Sequence, residues 1–340
     1  MTYHDAIKGG VRVISRNWQL VLIQLGMVFV SSVGFFFIVG IPLAIAFIIF
    51  GIDLTEMANL RDIVSLLKYP SDILSKYFGL FLIVLALLLL YIIMVALLGI
   101  YTFAGSVGMI GRSLKDRSLK FHLGTFFEEA RRLFYRLLAF TSFIGIIFVI
   151  AAFLLGLLGG GIATIVSYAQ TQDSTLALFF GTFFSLIMII IAAMLILGIL
   201  SVTLYGIASV CFRETGPVKS IQESWRFLTG HPNAFWLYTI LFAGYLFASF
   251  LLILFSYPFT LVPVIGTILS FPYQLITYAF ETYLGLIIIA AILNFYYSTE
   301  IDSGGAAPVV EEDLHRQPAA DEAAAGISED TEDAVRTQEQ

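Results

Sequence analysis

The sequence predicts an all-α fold, a polytopic membrane bundle of six transmembrane helices in three hairpin repeats, each preceded by a basic interfacial helix. Three observations carry that prediction. Apolar residues make up 59% of the 340-residue chain and charged residues only 12%, a balance that a water-soluble surface does not tolerate. Apolar stretches recur that are longer than the about 20 residues a helix needs to cross a hydrocarbon core. A short basic amphipathic segment also occurs three times, each copy followed by two of those stretches.

The basic segments align without gaps when those beginning at Ala6, Phe126 and Ser220 are superposed. Each places Ile7, Phe127 or Ile221 next, then Arg12, Arg132 or Arg226, then the apolar pair Val13-Ile14, Leu133-Phe134 or Phe227-Leu228. Apolar residues at helical spacing with Lys8, Arg12 and Arg16 opposite describe a helix lying among lipid headgroups. By the same reasoning Arg131, Arg132 and Arg136 in the second copy, and Lys219 and Arg226 in the third, are headgroup contacts. Self-similarity of this kind marks an internal repeat, with units of about 1–111, 112–212 and 213–298.

The spans fall near 19–50, 77–110, 137–165, 176–212, 235–257 and 268–297, with kinks expected at Gly34, Gly40 and Pro42. Lysine and arginine concentrate at the N-terminus and in the second and fourth connections, at Arg112, Lys115, Arg117, Lys120, Arg213 and the residues named above. Positive flanks stay on the cytoplasmic side, which predicts a multi-pass plasma-membrane protein with both termini cytoplasmic. No cleavable signal is expected before the first span. An even number of spans per unit makes the repeats parallel, around an axis along the membrane normal.

Two external connections stand out. Residues 53–76 carry Leu54, Met57, Leu60, Val64 and Leu67 at helical spacing and read as a surface helix. Residues 258–272 are uncharged, with Pro263 and Gly266 among them, and read either as a re-entrant or interfacial loop whose backbone needs partners or as an ordinary apolar turn. From 299 to 340 the composition turns acidic, with half of the chain's 24 Asp and Glu residues. That segment has too little to bury to fold and is expected to be a disordered cytoplasmic tail. It suits a solubilising extension, or a docking tail for a basic protein partner or for the protein's own basic loops.

Glu281 is the one formal charge well inside a span, and intramembrane carboxyls face a cavity or a partner. Gln274, Thr277, Tyr278, Glu281 and Gly285 share a helix face by their spacing, so the stripe is expected to point inward. Gly105, Gly108 and Gly111, and the pair Gly156 and Gly160, read as close-packing positions. Cys211, the single cysteine, reads as a small packing residue.

Catalytic patterns fail. Ala104-Gly105-Ser106-Val107-Gly108 misses the nucleophile pattern G-x-S-x-G by one glycine. His4, His122, His231 and His315 all fall in connections or ends, and no metal-ligand or phosphate-loop spacing occurs. His231-Pro232-Asn233 reads as the turn into the fifth span. The expectation is a non-catalytic protein with no cofactor, metal or nucleic-acid partner, whose partners are membrane lipids, anionic ones above all.

The segments 6–14 and 220–228, the run Arg213-Glu214-Thr215-Gly216-Pro217 and the glycine-rich end at 105–112 resemble a broad superfamily of prokaryotic six-span membrane proteins of mostly unknown role. That superfamily includes the membrane domain attached to some glycerophosphodiester phosphodiesterases. The likeness covers most of residues 1–298, and what it implies is an integral membrane domain without an assigned active site. No phosphodiesterase domain accompanies it here, so that activity is not carried over. Two functions follow: organisation of lipids or partners at the membrane, or alternatively a transporter or permease with a path between repeats near Glu281.

Overall fold

The first helix, α1 (Tyr3–Arg16), begins where Thr2 accepts a hydrogen bond from the Asp5 N–H, and it carries Asp5 in its first turn and Arg16 in its last. Both charges complement the helix dipole. The Thr2 hydroxyl holds the Asp5 carboxyl below its ordinary pKa. Ala6, Gly10, Val13 and Ile14 form the buried face, the spacing expected of one side of a helix. These elements belong to a computed structural model that describes residues 2–56, 70–116, 118–260 and 263–302.

The first span is α2 (Gln19–Phe35), a π-helical turn at Phe36–Gly40 and α3 (Ile41–Glu56). The wide turn lies immediately before Pro42, whose ring would otherwise meet the carbonyl four residues back. The Ile41 N–H accordingly bonds to the Phe36 carbonyl, five residues away. A π-helical turn, one extra residue in the helix, therefore stands where kinks were expected at Gly40 and Pro42.

Three long helices follow: α4 (Pro70–Lys115), α5 (Leu123–Gln172) and α6 (Ser174–Arg213). At about 1.5 Å per residue each runs about 60–75 Å, twice the thickness of a hydrocarbon core. The chain then folds α7 (Pro217–Gly230), α8 (Pro232–Thr260) and α9 (Pro263–Tyr296). Among the described residues there is no strand, and six helical segments are long and apolar enough to cross a membrane. The protein is an all-α, multi-span membrane protein.

Two expectations need correction. The second basic segment is not a separate interfacial helix; it is the first part of α5 and runs unbroken into the third span. The other two copies end at breakers, Asn17 for α1 and Gly230-His231-Pro232 for α7, whereas Arg136 meets Leu137 with no residue that stops a helix. Residues 258–260 and 263–272 are also helical rather than a loop, the first within α8 and the second within α9, with 261–262 outside the described residues. An uncharged apolar segment satisfies its backbone best as helix.

The expected surface helix over 53–76 falls mainly on 57–69, outside the described residues; 53–56 end α3 and 70–76 begin α4. Met1–Tyr297 form one compact unit and Ser298–Gln340 another. In the second unit only 298–302 are described, in a π-helical conformation, so the acidic tail from 303 lies outside the described residues.

Packing concentrates at the basic end of the bundle. Ile14, Met109, Leu133, Tyr205, Phe227 and Tyr296 are all nearly inaccessible there, while Phe29, Val149, Leu178 and Phe247 further along the spans are exposed. Exposed large apolar side chains along a span are what lipid contact requires. Each basic segment lies on the basic end of the span before it: the start of α5 on α4, α7 on α6, and α1 on α9, the last span. The start of the first unit thus closes onto its last two helices, with the hydroxyls of Ser15 and Tyr283 3.0 Å apart and Tyr3 donating to Asn233 at 3.1 Å.

Candidate functional site

Small residues on the span ends set the site. A Cβ on Gly105 would lie 2.5 Å from the Phe126 ring, and one on Gly111 would lie 2.5 Å from Cys211 Sγ. Glycine is the one residue that admits these neighbours so closely. Cys211 is buried between α6 and α4, which agrees with a packing role. The pair Gly156 and Gly160 is different: a Cβ at either would meet nothing within 4 Å, so the close approach expected there does not occur.

Gly108 leaves a notch in which Glu129 sits, with its side chain 3% exposed. Arg112 Nη1 lies 3.2 Å from Glu129 Oε1, and Arg132 Nη2 lies 2.6 Å from Oε2, though outside hydrogen-bonding alignment. Arg112 also reaches Glu128 at 3.4 Å. Beside them Glu214 takes Arg136 at 2.6 Å and Arg132 at 3.7 Å. Glu214 caps α6 in the left-handed conformation, φ 55°, a position that normally falls to glycine.

The same arrangement recurs between α6 and α7. Ser209 donates a short hydrogen bond to Glu223, and Arg213, four residues after Ser209, approaches Glu223 at 3.9 Å. Gly108 and Arg112 share that spacing around Glu129. At the junction of α1 and α9 the sizes are exchanged: Gly9 faces Asn294, whose Nδ2 would be 2.2 Å from a Cβ there. Glu129 and Glu223 were not among the residues singled out in sequence. Each stands three residues before the aligned arginine, Arg132 or Arg226, and that shared offset is the signal that marks them.

The eight basic residues expected at headgroups divide into two groups. Arg16 donates to the Ser113 carbonyl at 3.3 Å, and Arg132 and Arg136 are held by Glu129 and Glu214. Lys8, Arg12, Arg131, Lys219 and Arg226 are exposed and form no ion pair among the described residues. They share their surfaces with exposed Val11, Phe127, Val218 and Trp225. Apolar and cationic groups side by side suit the boundary between acyl chains and headgroups.

The stripe around Glu281 is enclosed only in part. Gln274 and Tyr278 are exposed, Thr277 and Glu281 half-buried. The tightly packed part of α9 is its end, Ala290 to Tyr296, against α1, and the stripe lies before it.

Ser106 is buried; it donates to the Thr102 carbonyl at 3.0 Å and accepts from Gln24 at 3.1 Å. His122 caps α5, and His231 caps α7 while stacking on Phe227. No described group of His, Cys, Asp and Glu is arranged to hold a metal ion.

Arg112, Lys115, Glu128, Glu129 and Arg132 surround a cavity of about 210 Å³, closed on its other side by Gly111, Cys211 and Phe212. The Lys115 ammonium lies 5.6 Å from the centre of the Phe212 ring. The fold and this polar end define an integral membrane protein of six spans. Comparison with protein-family models, with curated proteins and with solved structures finds no match.

Proposed function

We propose that this protein organises anionic lipid at the cytoplasmic face of a cell membrane, through three basic segments built on a threefold internal repeat. The observation that carries the reading is the set of exposed cations Lys8, Arg12, Arg131, Lys219 and Arg226, which no carboxylate among the described residues neutralises. Each cation near an anionic surface contributes about 1 kcal/mol. The repeat is supported by the recurrence of the Gly108–Glu129–Arg112 arrangement at Ser209, Glu223 and Arg213. Cytoplasmic placement of the basic end rests on the distribution of lysine and arginine. The resemblance to prokaryotic six-span membrane proteins belongs to the same reading and brings no activity with it.

The test uses the full chain in nanodiscs of mixed phosphatidylglycerol and phosphatidylcholine, with the lipid shell analysed after mild detergent exchange. Phosphatidylglycerol is expected to be enriched at low salt and to lose its advantage at high salt. Replacing all five cations by Gln should remove the enrichment. Equal recovery of both lipids by the unmodified protein overturns the reading. So does a pH-dependent solute flux in proteoliposomes that Glu281→Gln abolishes, because that result belongs to a permease.

A further inference from the structure

The cavity between the ends of α4, α5 and α6 carries charges that the packing does not use. The charge of Glu129 is offset from inside by Arg112, which donates to Oε1, and by Arg132, which lies beside Oε2. At the rim, Lys115 is exposed and faces a ring rather than a carboxylate. Glu128, 70% exposed, has only a 3.4 Å contact to Arg112. One cation and one carboxylate are therefore left facing a space of about 210 Å³.

We infer that this cavity holds the headgroup of a phosphatidylethanolamine-type lipid, its phosphate against Lys115 and Arg112 and its primary ammonium against Glu128. Charge complementarity selects that chemistry. A purely anionic headgroup would find Lys115 and Arg112 for its phosphate but would bring no cation to the exposed Glu128 carboxylate. A choline headgroup has no N–H to donate to Glu128, whereas a primary ammonium makes a charge-assisted hydrogen bond. The volume lies below the range typical of sites that enclose a whole ligand, which fits a headgroup whose acyl chains remain outside.

Depth points to lipid rather than to a dissolved compound. No charged residue occurs from Tyr77 to Gly111, from Leu137 to Gln172 or from Ser174 to Phe212. Arg112, Arg136 and Arg213 are thus the first charges reached on leaving each apolar run, and the cavity opens at that level. This is where headgroups lie. The inference rests on the chain being embedded in a bilayer but not on the five surface cations, so the two fail separately.

The experiment places the full chain in nanodiscs of equal phosphatidylethanolamine, phosphatidylglycerol and phosphatidylcholine, then counts tightly retained lipid by native mass spectrometry in detergent. One phosphatidylethanolamine per chain is expected. Lys115→Gln and Glu128→Gln, both at exposed positions that leave the fold intact, should each lower retention about tenfold. The variant lacking the five surface cations should retain it. Retention of another lipid in its place, or retention unchanged in both single variants, overturns the assignment. Displacement of the lipid by soluble phosphoethanolamine at equimolar concentration would make the ligand a dissolved compound and overturn it as well.

Discussion

Glu129 fits the notch at Gly108 so closely that a Cβ on Gly108 would stand 2.7 Å from Glu129 Cβ and 2.9 Å from its Oε2. Neither Glu129 Cβ nor the α5 backbone behind it can move aside without shifting the helix. Gly108→Ala is expected to cost about 1–3 kcal/mol, as overpacking does. Thermal unfolding in detergent should show a lowered midpoint, while Gly156→Ala, with open space around it, should leave the midpoint unchanged or slightly raised.

Glu129 lies between two guanidiniums that are themselves 41–42% exposed. Removing the carboxylate leaves two cations that can still turn to water, so the loss is smaller than for a fully buried pair. Glu129→Ala should cost about 1–3 kcal/mol. Arg132→Gln added to Glu129→Ala should cost less than the sum of the two single changes. Strict additivity in that double-mutant cycle would mean that the 2.6 Å contact between Arg132 and Glu129 contributes nothing.

Glu214 combines an unfavourable backbone with favourable charge. Its left-handed φ of 55° costs about 1–2 kcal/mol for a residue with a Cβ, and its carboxylate holds Arg132 and Arg136. Glu214→Gly gives up the ion pairs and gains the backbone freedom, and it should come out within about 1 kcal/mol of the parent. Glu214→Ala loses the pairs and keeps the strain, so it should be the less stable of the two. A midpoint for the alanine variant equal to or above that of the glycine variant would remove this account of the cap.

The sequence showed the spans and the basic segments because transfer from water sorts residues by polarity, and Leu, Ile and Phe runs report it directly. It did not show which apolar faces pack. Lipid and protein are equally apolar, so Gly156 and Gly105 look alike in composition, yet Gly105 meets Phe126 and Gly156 meets nothing. The closure of α1 onto α9 was hidden for a different reason. It joins Ser15 to Tyr283, and no local periodicity carries information over that distance. Similarly, the fusion of the second basic segment into α5 turned on a missing breaker at Arg136 and Leu137, a signal that alignment of the three copies conceals.

Glu281 separates the two functional readings most directly. A carboxylate that served a proton-coupled path would be enclosed by the bundle and set against a partner, as Glu129 is against Arg112 and Arg132. Glu281 instead is half-buried, on the part of α9 that precedes its tight contact with α1, and its stripe neighbours Gln274 and Tyr278 face outward. Glu281→Gln keeps the shape of the side chain and removes its charge. It should therefore leave the thermal midpoint within about 0.5 kcal/mol of the parent, leave the enrichment of phosphatidylglycerol intact and alter no proton flux measured with a pH-sensitive dye in proteoliposomes. A flux present in the parent and lost in Glu281→Gln would require the outward stripe to close inward in another conformation, and the permease reading would then displace lipid organisation.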